Sequence, residues 1–284
     1  MTVPSIGHFI LNNGLPIPKI GFGTYKTTSM ADESIISAAI EQGYRLFDTA
    51  SFYDNEPFIA NAIRHSGLNR EDFFLTSKVW KTQMGYENTL AALNESLEKL
   101  QTDYLDLYLI HWPRANLTDP WQTLMKETWQ ALELLYAENK VRAIGVSNFL
   151  QSHLEVLLTD ARVRPAVNQI EFHPGYTQSE TVAFCQKEGI QVEAWSPLGR
   201  ASLLGNPILI EIAANYGKSV SQLCIRFALQ QDVLPLPKSS HPDRMRQNLD
   251  GFDFSISEAD MDRLLSMPRT GWSGEHPDAE RVVF

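Results

Sequence analysis

Apolar positions along the chain fall into short runs that alternate with longer amphipathic stretches, and the alternation repeats eight times. The short runs predict buried strands at Ile20–Gly23, Tyr44–Phe47, Phe73–Ser77, Leu105–Ile110, Ala143–Val146, Ala166–Ile170, Gln191–Ala194 and Val233–Pro237. Helical spacing follows each of them, at Asp32–Gln42, Glu56–His65, Tyr86–Leu100, Trp121–Glu138, Leu150–Leu158, Ser179–Glu188, twice within Pro207–Gln230, and at Pro242–Leu249. Ser257-Glu258-Ala259-Asp260 opens one more helix, with Ser257 as N-cap. Before the first strand, two apolar runs between Phe9 and Pro18 flank Asn13-Gly14 and predict a hairpin.

Eight strand–helix units leave few architectures open. Successive strand ends lie mostly 24 to 36 residues apart, close to the roughly 30 residues of one βαβ step. The exception is the 43-residue step from Ala194 to Pro237, which holds two helical patterns. A doubly wound sheet is the rival, but Gly21-Phe22-Gly23-Thr24-Tyr25-Lys26 has Lys where GxGxxG needs its third glycine, and no GxxxxGK[ST] occurs. The expected fold is therefore α/β, a (β/α)8 TIM barrel forming one domain over residues 1–284. The hairpin should plug its bottom, with extra helices before the last strand and near the C-terminus.

Composition narrows the partners. The chain has 284 residues, with 24 Lys and Arg against 34 Asp and Glu, for a formal charge of −10. An acidic chain without a basic run argues against nucleic acid and anionic membrane as partners. No apolar stretch is long enough to span a bilayer, and Met1-Thr2-Val3-Pro4 lacks a signal pattern, so a cytoplasmic protein is expected, and it is taken to be a monomer. Cys185 and Cys224, the two cysteines, sit in apolar helical patterns without metal-ligand spacing, which predicts buried, inert thiols and no metal site.

In such a barrel the functional groups come from the C-terminal ends of the strands. Those positions hold Thr24, Asp48, Lys78, His111, Ser147-Asn148, Gln169 with Glu171, Trp195-Ser196, and Lys238-Ser239-Ser240. A single polar strand end is ordinary, but ionisable groups on three consecutive strands are not. A buried Lys78 beside Asp48 would form an ion pair that needs further hydrogen bonds. Tyr53, five residues beyond Asp48, would then have its pKa lowered by the ammonium and serve as a proton donor. His111 would donate a second hydrogen bond to an oxygen gaining negative charge. This set suits protonation of a carbonyl oxygen while hydride reaches its carbon, and no side chain can give hydride, so a cofactor is required.

The chain resembles the aldo-keto reductases over essentially its whole length, in the bacterial branch similar to diketogluconate and methylglyoxal reductases. The motifs that carry the resemblance are Gly21-Phe22-Gly23-Thr24-Tyr25, Phe47-Asp48-Thr49-Ala50 with Tyr53, Thr76-Ser77-Lys78-Val79-Trp80 and Leu105 through Pro113. Further along come Ile144 through Phe149, Val167-Asn168-Gln169-Ile170-Glu171 and Pro237-Lys238-Ser239. The resemblance implies that Asp48, Tyr53, Lys78 and His111 are the catalytic four, with Tyr53 as acid. It implies NADPH as cofactor, with Gly23, Thr24 and Asp48 beside it and Ser147, Asn148 and Gln169 on the nicotinamide carboxamide. Trp195 would stack on the ring, and Ser196 and Leu198 belong to a loop over the pyrophosphate.

The segment from Lys238 to Asn248 stands on its own physics as well. A strand end runs into a helix, and an ammonium, a guanidinium, hydroxyls and backbone N–H groups converge there as a phosphate site. By resemblance Lys238, Ser239, Ser240, Arg244, Gln247 and Asn248 would hold the 2′-phosphate and adenine. Tyr25, Trp80, His111 and Trp112 are expected to line the substrate pocket, joined by Phe52 and the Gly- and Pro-rich tail around Trp272. The expected activity is reduction of small aldehydes, α-dicarbonyls or keto compounds. A cofactor-sensing regulatory subunit on the same fold, with little turnover, is the alternative.

Overall fold

The structure is a computed structural model that describes residues 6–27, 33–118 and 120–280. Two short strands, β1 (His8–Ile10) and β2 (Pro16–Pro18), pair antiparallel with Phe9 opposite Ile17. Eight parallel strands follow in chain order: β3 (Phe22–Gly23), β4 (Leu46–Asp48), β5 (Phe74–Val79), β6 (Leu107–Ile110), β7 (Ile144–Ser147), β8 (Val167–Glu171), β9 (Gln191–Trp195) and β10 (Val233–Leu236). Each pairs with the next. The seam between first and last is closed by the backbone, where Gly21 N–H donates to Pro235 O at 3.1 Å and Gly23 N–H to Pro237 O at 3.0 Å. Gly21 leaves room for the packing there: a Cβ would stand 2.2 Å from Leu46 Cδ2 and 2.6 Å from Leu236 Cδ2, and both side chains would have to move.

The helices lie where the periodicity expects them: α1 (Ser34–Gln42), α2 (Glu56–His65), α3 (Tyr86–Leu100), α4 (Trp121–Ala137), α5 (Gln151–Leu158) and α6 (Ser179–Lys187). The long step before β10 holds α7 (Pro207–Asn215) and α8 (Val220–Gln230); α9 (Pro242–Leu249) and α10 (Glu258–Leu265) follow it. Asp32, the expected start of the first helix, lies outside the described residues. Ser257 caps α10 as expected, its Oγ accepting from Asp260 N–H at 3.2 Å.

Apolar residues are segregated into two clusters, one between barrel and helices and one inside the barrel. The inner cluster joins Leu11, Leu15 and Ile17 of the hairpin to Leu46, Phe74, Leu107, Leu109, Val167, Leu234 and other strand residues. Asn12 Nδ2 donates to Pro165 O and Asn13 Nδ2 to Arg142 O, both just ahead of strand starts. The hairpin therefore closes the N-terminal mouth, and only the opposite mouth is left for chemistry.

Six strand ends differ from expectation by one or two residues, and two of these differences bear on the site. Asp48 lies inside the ladder of β4, in register with Gly23 and Thr76, and Lys78 lies inside β5, in register with Leu109. The apolar run stops before these residues, but a ladder is built from backbone groups and continues through any side chain that finds a partner.

Candidate active site

Lys78 has no exposed surface and Asp48 is 4% exposed, so their charges must satisfy one another. The Lys78 ammonium donates to Asp48 Oδ1 at 2.7 Å, Asp48 Oδ2 at 2.8 Å and Thr49 O at 2.9 Å. All three of its protons are used, which is what makes a buried ion pair tolerable. Burial alone would lower the Lys78 pKa, but Asp48, Tyr53 and Glu193 outweigh it and the net shift is upward. The lysine stays charged.

Tyr53 ends a single 3-10 turn, Ser51–Tyr53, which Thr49 and Ala50 join to β4. Ser51 Oγ contacts Lys78 O at 3.0 Å and Gln83 Oε1 at 2.6 Å. On the other side buried Asn55 contacts Thr49 Oγ1 at 2.5 Å and donates to Thr24 O at 2.9 Å. These bonds hold the turn so that the Tyr53 ring lies 5.1 Å from the Lys78 ammonium, 5.0 Å from the Tyr25 ring and 5.7 Å from the His111 ring. The expectation of a lowered phenol pKa is corrected here. Burial pushes Tyr53 up to about 12, and the pull of Lys78 recovers only part of that rise.

His111 follows β6, nearly buried, its Nδ1 without a hydrogen-bond partner. Burial, then the Lys78 and Lys81 ammonium groups, hold its pKa well below the usual imidazole range. At neutral pH it is an uncharged ring with one N–H to give.

On the far side of the mouth the strand ends are tied together. Ser147 Oγ donates to Gln169 O at 2.9 Å, and Asn148 Nδ2 donates to His111 O at 2.9 Å and Ser147 Oγ at 3.1 Å. Trp195 Nε1 donates to Asn148 Oδ1 at 2.8 Å, which fixes the indole. Asn148 and Ser196 both have positive φ, 62° and 50°, so the chain turns sharply off β7 and β9 at these residues. Gln169 Nε2 donates to Asp48 Oδ2 and to Glu193 Oε2, each at 2.8 Å. Both its protons are used, and its Oε1 is left as an acceptor. Thr24 is buried and accepts from Asn55, while Gly23 lies on the seam against Leu236 O.

The remaining expected residues lie around this mouth. Phe52 stacks on Trp80 at 3.9 Å, and Trp80 meets His111 edge-on at 4.9 Å. Trp112 and Trp195 share a cleft with Glu171, Tyr176, Glu275 and Pro277, so the C-terminal segment borders the mouth. That segment is anchored: Glu171 accepts from Ser273 N–H at 2.9 Å and Ser273 Oγ at 2.6 Å. Trp272 lies 3.7 Å from the Arg269 guanidinium, and Arg200, two residues after the partly buried Leu198, reaches Glu275 at 3.6 Å. Lys238, Ser240, Arg244 and Gln247 are exposed on the turn into α9 and along it. Ser239 and Asn248 are buried, with Ser239 Oγ accepting from His241 N–H at 3.1 Å and Asn248 set against the Tyr44 hydroxyl. Cys185 and Cys224 are buried free thiols whose pKa values burial raises to about 11 and about 12, as expected of inert cysteines.

Sequence reasoning missed three contributors. Asn55, Glu193 and the anchoring role of Glu171 were not foreseen. Glu193 carried a legible signal, a charged residue inside a strand buried on both faces.

Known proteins resemble the chain in sequence and in fold. Residues 19–267 match the Aldo/keto reductase family. The glyoxal reductase of Bacillus subtilis (strain 168) is 48% identical over 270 residues, 94% of this chain and 95% of that one. The crystal structure of an aldo/keto reductase from Brucella melitensis superposes with a TM-score of 0.86 at 43% identity, covering 93% of this chain and 99% of that one. An aldo-keto reductase solved in complex with NADPH gives a TM-score of 0.86 at 34% identity, covering 95% and 89%. This chain belongs to the aldo/keto reductase family and is an oxidoreductase that acts on carbonyl groups.

Proposed function

We propose that the chain reduces small aldehydes and α-dicarbonyl compounds with NADPH, Tyr53 acting as the proton donor. The observation that carries this reading is the fully buried Lys78, bonded to Asp48 and Thr49, with the Tyr53 and His111 rings beside it at the open mouth. A nicotinamide fits the residues present. The Oε1 of Gln169 is an unspent acceptor beside Ser147 and Asn148, placed to take an N–H of the carboxamide. Lys238 and Arg244 have no ion-pair partner among the described residues and are available to a phosphate.

The cofactor, when bound, supplies the hydride that no side chain can. Tyr53 holds its proton throughout the neutral range and releases it to a carbonyl oxygen only as that oxygen becomes an alkoxide, a far stronger base. The Lys78 ammonium, kept charged by Asp48, then stabilises the phenolate left behind. His111, neutral, donates a hydrogen bond to the same oxygen and orients the carbonyl without adding charge. Trp80, Trp112 and Phe52 supply apolar walls around a small substrate and exclude water.

The glyoxal reductase relative supports the dicarbonyl class, and the NADPH-bound neighbour supports the cofactor. A panel of aldehydes, ketones and dicarbonyls, followed by NADPH absorbance and repeated with NADH, tests the reading. Absence of turnover with every carbonyl, with NADPH still bound, would favour a cofactor-sensing role.

A further inference from the structure

Glu193 is a carboxyl that the chemistry above does not use. It lies in the middle of β9 with no exposed surface, and it points into the barrel. Its strand neighbours are Gln169 on β8 and Leu234 on β10, one polar and one apolar. Only one of its oxygens is satisfied: Oε2 accepts from Gln169 at 2.8 Å, while Oε1 has no hydrogen-bond partner. The charged groups acting on it are Asp48 of β4 and Lys78 of β5, and these two already neutralise one another.

That arrangement gives the two ionisation states of Glu193 unequal standing. As a carboxylate it would add an uncompensated negative charge to a dry site with Asp48 close by. Accordingly burial, followed by Asp48, pushes its pKa up to about 8. The charge of the site changes with the oxidation state of whatever Gln169 holds. A dihydronicotinamide is neutral, whereas an oxidised nicotinamide is a cation. Gln169 bridges Glu193 to Asp48 through one amide group, so a ring held at Gln169 shares the electrostatic environment of both carboxyls.

We propose that Glu193 ties cofactor oxidation state to a proton, remaining the neutral acid beside the reduced ring and becoming the carboxylate counter-charge of the oxidised one. This rests on the cofactor reading above. In balance, the O–H bond of Glu193 breaks when the ring becomes cationic, its electron pair stays on the carboxylate, and the proton leaves to solvent; reduced cofactor reverses the step. No electron passes through Glu193, so it is a positioning and charge-compensating residue.

The test is calorimetric titration of a Tyr53→Phe chain with NADP+ and with NADPH, in buffers of different ionisation enthalpy, between about pH 6 and pH 9. Tyr53→Phe removes the phenol as a competing proton source, and the 2′-phosphate is common to both cofactors and cancels in the comparison. NADP+ should release up to one proton more than NADPH. The ratio of NADP+ to NADPH affinity should rise by up to about tenfold per pH unit below the titration of the carboxyl. Adding Glu193→Gln should abolish both differences and lower NADP+ affinity while NADPH affinity changes little. Equal proton counts for the two cofactors, or a difference that survives Glu193→Gln, overturns the inference. If Glu193→Gln prevents folding, the Tyr53→Phe titration alone decides. Failure of both cofactors to bind would instead overturn the cofactor reading, and this inference with it.

Discussion

Replacing Tyr53 by phenylalanine deletes one oxygen and leaves the ring, which keeps its contacts with Tyr25 at 5.0 Å, His111 at 5.7 Å and the Lys78 ammonium at 5.1 Å. The cost in stability is small. The variant loses the hydroxyl's electrostatic interaction with the Lys78 ammonium, whose three protons stay on Asp48 and Thr49. Removing the desolvated phenol offsets part of this, and each kcal/mol moves Tm by only about 2–4 °C in a domain this large. On the reading proposed above, the cost in rate is much larger, because the alkoxide loses its proton donor. A general acid contributes ~10²–10⁴ in rate, or about 2.7–5.5 kcal/mol of barrier. Turnover of a small aldehyde, followed by NADPH absorbance, should fall by that factor, while quenching of tryptophan fluorescence by NADPH persists with similar affinity.

The pH dependence gives a second check on the same group. A phenol raised to about 12 stays protonated as pH rises, so its ionisation should not limit carbonyl reduction below about pH 11. Alcohol oxidation needs the phenolate and should quicken as pH climbs toward that value. Lys78→Met removes the cation that opposes burial, so the oxidation profile should move to still higher pH. A Tyr53→Phe variant that keeps more than about a tenth of the wild-type rate would refute the assignment and leave His111 as the donor to test.

Three further outcomes follow from other parts of the molecule. Arg244→Ala should weaken NADPH by up to about 3 kcal/mol, the scale of a charge-assisted contact, and leave NADH nearly unchanged; equal losses for both, by fluorescence titration, would mean that α9 is only structural. Deleting residues from Gly271 onward should change relative kcat/KM across aldehydes more than NADPH affinity, because this segment reaches the Trp112 and Trp195 cleft. Unaltered selectivity in a folded, active enzyme would count against that. Glu193 titrates near 4.5 when unfolded and at about 8 when folded, so the stability it gives below about pH 4.5 is lost as pH rises through about 8. Glu193→Gln should therefore gain on the wild type by a few kcal/mol between those pH values in denaturant unfolding, and a constant difference would show that the carboxyl does not titrate there.

The barrel was legible because each unit of the chain carries its own evidence. Val- and Leu-rich runs of four to six residues can be buried on both faces only in a parallel sheet, and the amphipathic stretches between them must cover it. The residues from Asp48 to Gln169 were legible for a related reason, since a polar group at the end of an apolar run is conspicuous. What could not be read was anything set by contacts across the mouth. The pKa of Tyr53 depends on how completely two rings and the loop close over it, and the sequence shows Lys78 but not the burial that outweighs it. The link from Glu171 to Ser273 spans 102 positions, and no local pattern announces it.

The two halves of the mouth are also less separate than their assigned roles suggest. Asn148, read as a cofactor contact, gives both its amide protons to His111 O and Ser147 Oγ and accepts from Trp195 with its oxygen. Its amide is fully engaged within the protein, so its larger part is to lock the His111 backbone, the Ser147 hydroxyl and the Trp195 indole in one frame. Gln169 does the same between Asp48 and Glu193, but with an oxygen to spare. A shift at the Gln169 and Asn148 side would therefore reach the Lys78 ion pair through one amide and the His111 main chain through the other. Hydrogen bonds of this kind hold an active site to within a few tenths of an ångström, the tolerance that proton and hydride transfer to the same carbonyl demand together. The polar residues of this barrel are thus spent on fixing distances as much as on supplying charge.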